Sequence, residues 1–337
     1  MVLDSTIRLD HGSGGKLSHR LIEELFLPHF NNSALAVLDD SAVLEPESGK
    51  LAFTTDSYVV DPIFFPGGDI GKLAVCGTVN DLSMSGAKPK YISAGFIIEE
   101  GFSIADLERI IISMKNSARE AGVSIVTGDT KVVQKGKTDK LFINTAGVGV
   151  VPDGVCISSN RAQVGDVVIL SGTIGEHGIA VLSQREDFNF HTDIQSDVAP
   201  LNSIIADLIN NNVELHCLRD PTRGGAATTL NEFAGKSNTG IIIEEEKIPV
   251  KKSVRSVCNL LGFDPLYIAN EGKFIAILPE RDAEKALSII KQHPYGTNVE
   301  IIGSVTTEHP GKVVIHTTIG GRRIIDMLTG EQLPRIC

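Results

Sequence analysis

The sequence predicts an α+β protein of two layered domains. Strand-like and helix-like stretches alternate along the whole chain, with helical stretches following one another as if on one side of a sheet. At 337 residues the chain is long enough for two cores. A turn triplet, Pro152-Asp153-Gly154, punctuates it near the middle. The expected layout is one domain over residues 1–155 and a second over 156–325. The two halves look alike in size and element order, with no strict repeat. Residues 326–337 (DMLTGEQLPRIC) contain Gly and Pro and few periodic apolar residues, which predicts an extended, mobile tail.

In the first half, Leu17, Leu21 and Leu25 share one face of a helix predicted over Leu17–Phe30. Leu51–Thr55 reads as a short strand. Leu73, Val75, Val79 and Leu82 mark a buried helix over Gly71–Ser85, and Tyr91–Ile98 is strand-like. Ser103 is a good N-cap for a helix to Ala121 that carries Leu107, Ile110, Ile111 and Met114 on one face. Leu141–Val151 is a long strand punctuated by glycine. In the second half, strands are expected at Val167–Ser171, Phe274–Leu278, Glu300–Val305 and Lys312–Thr317. Helices are expected at Ile179–Arg185, Pro200–Asn211, Thr222–Lys236 and Ala283–His293.

Composition narrows the function classes. A hydrophobic fraction of 42% with 22% charged residues is ordinary for a folded protein. The formal net charge of −11 leaves no electrostatic footprint for nonspecific nucleic-acid binding. An acidic chain still suits a nucleotide if carboxylates gather Mg²⁺ and the metal faces the phosphates. The five cysteines are odd in number and form no CxxC pair, which argues for a reducing compartment over a disulfide framework. No basic stretch leads into an apolar one at the N-terminus and no apolar run reaches ~18 residues, so neither a signal peptide nor a membrane span is expected. A cytoplasmic location is the default expectation.

Four features carry chemistry. Residues 11–16 (HGSGGK) place Gly12, Gly14, Gly15 and Lys16 before a helix, where backbone N–H groups and the helix N-terminus attract an anion. They do not match GxxxxGK[ST], and a flexible lead-in loop is the alternative. Acidic motifs recur in order: Asp39-Asp40-Ser41-Ala42, Thr54-Thr55-Asp56, Asn80-Asp81, Gly128-Asp129-Thr130, and Asp220 within Asp220-Pro221-Thr222-Arg223-Gly224-Gly225. Each alone reads as a cap or turn residue. Carboxylates in apolar surroundings are costly unless paired or metal-bound, and Mg²⁺ takes hard oxygen ligands. The chain ends in Cys337 on a tail whose eleven residues from Met327 reach up to ~35–40 Å. A plain exposed cysteine is the alternative there. Lys131 follows Asp129 by two residues, so on a strand both face one way, and Glu271 sits between Asn270 and Gly272 before a predicted strand, a usual place for a functional loop. An ordinary Lys–Glu salt bridge is the bland reading of that pair, and His177 reads as a satisfied structural histidine.

The order of the acidic motifs resembles the nucleotide-binding pattern of the PurM-like superfamily. Residues 64–87, Val126–Val133, Asp220–Gly225, Ala269–Lys273 and Pro334–Cys337 resemble the HypE family of hydrogenase maturation proteins over essentially the whole chain. The resemblance implies a PurM-like α+β fold in each half, with the first as the ATP-binding and dimerisation domain of a homodimer. It implies an ATP-dependent dehydratase that turns a carboxamide on the Cys337 sulfur into a thiocyanate. HypF is the implied carbamoyl donor and a HypC–HypD complex the implied holder of the iron that takes the cyanide. On this basis Gly12, Gly14, Gly15, Lys16, Thr55, Asp56, Asn80, Gly128, Asp129 and Arg223 are expected at the nucleotide. Asp40, Asp56, Asp81, Asp129 and Asp220 are expected at Mg²⁺, and Glu271 is the expected base, with Lys131 tuning or relaying its proton. A small-molecule enzyme of the same superfamily and a non-enzymatic carrier are the rival readings.

Overall fold

A computed structural model describes residues 5–13, 15–38, 41–45, 48–185, 192–328, 330 and 336. Gly14, Asp40 and Cys337 among the expected site residues lie outside them. The chain opens with a short helical turn, Leu9–Gly12. Helix α1 (Lys16–Leu21) widens into a π turn over Ile22–Phe26 and closes as α2 (Leu27–Phe30), so the predicted N-terminal helix is present with an irregular middle. The order continues with β1 (Lys50–Tyr58), the small β2 (Phe64–Phe65) and β3 (Gly68–Asp69) hairpin, α3 (Ile70–Met84) and β4 (Lys88–Glu99). Next come α4 (Ile104–Ala121), β5 (Ser124–Val133) and β6 (Leu141–Val151). Ser103 caps α4 as expected, its hydroxyl accepting from the Asp106 N–H at 3.2 Å.

The first sheet has four strands in the order β1-β6-β4-β5. Helices α3 and α4 cover one of its faces. The other face is open, and on it Leu51 is 72% and Phe53 71% exposed. These two pair with Val150 and Val148, so the open face carries an apolar stripe. Helix α3 is apolar nearly all round and buried nearly throughout, as a helix between two layers must be. Asp69 caps it, its carboxylate accepting from the N–H groups of Gly71 at 2.7 Å and Lys72 at 3.1 Å.

The second half contains β7 (Asp166–Leu170), α5 (Glu176–Leu182), α6 (Asn202–Asn210), β8 (Cys217–Arg219), α7 (Gly225–Ser237) and β9 (Gly240–Glu244). It ends with α8 (Lys252–Leu261), β10 (Ile275–Pro279), α9 (Ala283–Lys291), β11 (Glu300–Thr306), β12 (Val313–His316) and β13 (Arg322–Ile325). Its seven-stranded sheet runs β13-β12-β9-β11-β7-β10-β8 and is antiparallel except at β9 and β12. Every residue of β7 and β10 is buried, because separate apolar clusters pack on the two faces. The strands β2, β3, β5, β8, β9 and β13 and the helix α8 were not among the elements expected from the sequence. β8 and β13 are only three and four residues long, too short for a periodic signal. Among the described residues no helix is long and apolar enough to cross a membrane.

Candidate active site

The expected site residues fall into two cavities. The larger, of about 530 Å³, lies along β5 and is lined by His11–Ser13, by Ser41 and Ala42, and by Val126–Lys131. Gly12 is required where it stands, since a Cβ there would lie 2.5 Å from the Val132 nitrogen. Gly12, Gly128, Asp129 and Lys131 therefore line one space of nucleotide size. Gly15 caps α1 and Lys16 opens it; both are exposed and neither lines this cavity. Asp129 and Lys131 are both exposed on β5, as a two-residue step along a strand requires.

The smaller cavity, of about 60 Å³, is closed by both halves of the chain. Asp56 comes from β1, Asp81 from the last turn of α3, Asp220, Thr222 and Arg223 from the loop after β8, and Glu271 from the loop before β10. Thr54 donates to Asp81 at 2.9 Å, the Tyr58 hydroxyl to Asp56 at 3.2 Å, and the Arg223 guanidinium lies 3.9 Å from Asp56. Burial, then the nearby Asp81, pushes Asp220 up to about 7. Burial also raises Asp81, opposed by the Thr54 hydrogen bond. Glu271 is 2% exposed, its Oε1 has no partner among the described residues, and burial followed by the charges of Asp220 and Asp197 holds it well above the carboxylate range.

Not every expected neighbour is brought together. Asp56 and Asp129 stand on opposite edge strands, three strand spacings or roughly 14 Å apart. Asp56 aligns through Thr145 and Ala94 with Gly128, so Asp129, one step on, projects from the other face. One subunit thus divides the five-aspartate set. Lys131 and Glu271 likewise line different cavities, and neither the salt bridge nor a shared proton path forms between them within the chain. Thr55 is exposed on the open face, opposite to Asp56, and donates to the Thr145 carbonyl. Asn80 is buried and its amide is already used: it donates to the carbonyls of Ala199 at 3.0 Å and Glu271 at 3.2 Å and accepts from Leu201 N–H at 2.8 Å. It ties α3 to the second half and fixes the Glu271 loop instead of facing a cofactor.

Two residues missed in the sequence complete that loop. Asn270 accepts from Gly175 N–H at 2.7 Å and donates to the carbonyls of Pro221 and Ile268. Asp197 accepts from the amides of Glu271 at 3.1 Å and Gly272 at 3.2 Å and pairs with Lys273 at 3.3 Å. Gly272 permits this approach, since a Cβ there would lie 1.8 Å from the Asp197 carbonyl. Burial works against the ionised Asp197, but Lys273, His177 and the Glu271 amide outweigh it and lower its pKa. The Asn-Glu-Gly-Lys run was the only sequence signal for this arrangement.

The tail, expected to be extended and mobile, is seated at Ile336. This residue is 4% exposed and joins an apolar cluster that includes Phe65, Val181, Val198 and Ala269. Its carbonyl receives a hydrogen bond from His177 Nε2 at 2.9 Å. Burying an isoleucine side chain contributes ~1.5–3 kcal/mol, against ~1–2 kcal/mol per residue for ordering backbone, so at this one residue the two nearly offset.

The fit to a metal can be judged from the carboxylates. Among the described residues no three His, Cys, Asp or Glu side chains are grouped to hold an ion by themselves. Mg²⁺ does not need such a cage, as it is commonly held by one or two carboxylates and the substrate phosphates. Asp81, Asp220 and Glu271, all raised in a space of about 60 Å³, are acids that cannot ionise together without added positive charge. The donor set fits a hard dication shared with phosphate.

Comparison with known proteins gives the family. Residues 38–151 match the N-terminal domain of AIR synthase related proteins and residues 163–316 the C-terminal domain. The carbamoyl dehydratase HypE of Azotobacter vinelandii is 51% identical over 334 residues, covering 99% of this chain and 98% of its own. A crystal structure of the hydrogenase maturation protein HypE in complex with ATP superposes with a TM-score of 0.94 at 54% identity, covering 98% of this chain and 99% of that one. A HypE chain from a HypE–HypF complex gives 0.80 at 52% identity, covering 91% and 99%. With a PurM-like α+β fold in two halves and half its sequence shared end to end, this chain belongs to the HypE family of carbamoyl dehydratases.

Proposed function

We infer that this chain is an ATP-dependent carbamoyl dehydratase acting on its own C-terminal cysteine, in the maturation of a [NiFe]-hydrogenase. A carboxamide carried on the Cys337 sulfur becomes a thiocyanate, the source of a cyanide ligand. The reading is carried by the Glu271 carboxyl, buried with Oε1 unpartnered among the described residues, in a cavity that three aspartates also line. A buried polar atom left unpaired costs ~1–3 kcal/mol, and a strongly raised carboxyl is a strong base once ionised.

In the reaction the C–O bond of the carboxamide breaks, nitrogen gives up its two protons, and its lone pair completes C≡N. Hydroxide is a poor leaving group. When bound, Mg-ATP supplies the γ-phosphoryl group that carries the oxygen away as phosphate, leaving ADP, and its dication opposes the causes that keep Glu271 protonated. Gly12 and the strand residues Gly128, Asp129 and Lys131 hold the nucleotide in the larger cavity. In a homodimer, Asp56, Asp81 and Asp220 of one protomer face the phosphates and Mg²⁺ of the nucleotide held in the larger cavity of the other, with Arg223 at the rim. Glu271 takes a proton from nitrogen as the C–O bond breaks, and Asn80, Asn270 and Asp197 hold its loop still.

A homodimer forms through the open face of the first sheet, where Leu51 and Phe53 supply an unpartnered apolar stripe. HypF is the carbamoyl donor, which a relative crystallised with HypF supports. A HypC–HypD complex holds the iron that receives the cyanide, and the reaction takes place in the cytoplasm.

The test is the mass of the C-terminal peptide after incubation with HypF, its carbamoyl substrate and Mg-ATP. The expected result is a carboxamide on Cys337 followed by the loss of one water. Cys337→Ala should abolish thiocyanate formation and leave nucleotide affinity unchanged. ATP consumption that survives removal of the last three residues would assign the site to a diffusible acceptor.

A further inference from the structure

We propose that His177 and Ser196 form a clasp that seats the penultimate residue, Ile336, beside Glu271, and so act as positioning residues for the terminal cysteine. The inference deepens the reading of Cys337 as substrate and rests on it for its purpose, though not for its geometry.

The hydrogen-bond chain has one consistent direction. The Ile336 carbonyl can only accept, so His177 Nε2 carries the proton and donates at 2.9 Å. Burial lowers the His177 pKa, which favours the neutral ring, so Nδ1 accepts from the Ser196 hydroxyl at 2.8 Å. Ser196 Oγ in turn accepts from Val198 N–H at 3.1 Å, and the Ser196 amide donates to Pro66 O at 2.8 Å. The obligate acceptor, the Ile336 carbonyl, sets the tautomer, and the serine hydroxyl completes it at Nδ1. The ring is wholly buried, stacked edge-on to Phe65 at 5.4 Å, so it has no freedom to leave the carbonyl.

The clasp is also tied to the base. Ser196, Asp197 and Val198 are consecutive: Ser196 orients His177, Asp197 holds the amides of Glu271 and Gly272, and Val198 shares the apolar cluster with Ile336. One three-residue stretch therefore sets the spacing between Glu271 and the residue preceding Cys337. Phe65, which packs edge-on against His177, comes from the first half and His177 from the second, so the clasp is built where the two halves meet. The clasp reads a main-chain carbonyl and the pocket reads an apolar side chain. A C-terminal segment with an aliphatic penultimate residue is the occupant this chemistry selects.

The experiment is maleimide labelling of the intact, nucleotide-free protein, with Cys337 and the exposed Cys156 followed as separate peptides by mass spectrometry. His177→Phe keeps the ring and removes the donor, and should raise Cys337 labelling about fivefold to tenfold, the equilibrium equivalent of one lost hydrogen bond. His177→Gln retains a donor and should restore much of the protection. Ile336→Ala should raise labelling comparably, and Cys156 labelling should not change in any variant. Should His177→Phe fail to fold, Ser196→Ala, which removes the hydrogen bond that orients the ring at Nδ1, is expected to raise labelling by a smaller factor. Unchanged Cys337 labelling in folded His177→Phe or Ser196→Ala overturns the clasp. Because labelling needs neither ATP nor carbamoyl donor, failure of the dehydratase reading would show separately, as absent thiocyanate with the labelling differences intact. For the reaction, the clasp predicts a lower kcat in His177→Phe with an unchanged KM for ATP, and partial rescue in His177→Gln.

Discussion

The two cavities that hold the expected site residues differ in size, charge and construction. The one along β5 encloses about 530 Å³, opens on solvent, and is built within the first half from a glycine-containing turn and an edge strand. The one at the seam encloses about 60 Å³, is lined by four carboxyl-bearing residues, and needs both halves to exist. A space of the first kind suits a nucleotide; one of the second suits a few waters or a group the size of a carboxamide. The difference teaches that holding ATP and moving a proton are separable tasks here, and that substitutions should sort by cavity.

The largest effect tests that separation directly. Glu271→Gln should slow thiocyanate formation by ~10²–10⁴-fold while carbamoylation of Cys337 and Mg-ATP affinity hold. The time course of the Cys337 peptide mass and a nucleotide titration measure the two sides. An equal fall in ATP affinity would show that the cavities work as one. Asp81→Asn sits where they should communicate through phosphate. Loss of a charge-assisted contact of ~1.5–3 kcal/mol should weaken Mg-ATP about tenfold to a hundredfold. Apo stability should hold or rise, since one of several crowded carboxyls is removed. A large fall in apo melting temperature would make Asp81 an ordinary structural carboxylate.

Gly12→Ala belongs to the larger cavity alone. The added methyl meets the Val132 nitrogen, an overpacking that costs ~1–3 kcal/mol. ATP should bind more weakly, with the single-turnover rate at saturating ATP unchanged; a slowed rate there would couple the β5 turn to the proton step. The smallest effect concerns the tail seat. The folded His177 pKa is depressed, by burial first, with Asp197 and the Ile336 carbonyl opposing. A depressed histidine contributes stability that is complete above its unfolded value of ~6.5 and declines as pH falls through the folded one. The melting temperature of wild type should therefore drop more than that of His177→Phe between pH ~6.5 and ~5, and parallel curves would remove His177 as the titrating group.

A second contrast, between the sheets, accounts for where the fold was legible. Helix α4 and the strands β4 and β6 were visible because periodic apolar residues and a Ser103 cap agree with their tertiary setting. β8 and β13 were not, because a few residues cannot display a period and their pairing partners lie far along the chain. The acidic motifs were legible as a set, yet not their division. Spacing along the chain shows that Asp129 and Lys131 share a face, whereas strand order decides that β1 and β5 are opposite edges. Asn80 misled for the same reason: beside Asp81 on one helix it reads as a ligand, and only the packed second half reveals that its amide is spent on Ala199, Leu201 and Glu271.

The sequence by itself determined the family, the layered fold class and the residue types at the site, since each depends on local pattern or on motifs contiguous in the chain. The tertiary structure alone decided which carboxyls crowd together, that Glu271 is buried with an unpartnered oxygen, and that Ile336 meets His177 at a sequence separation of 159. Those properties arise from desolvation and from contacts between distant segments, and neither is written in any window of neighbouring residues.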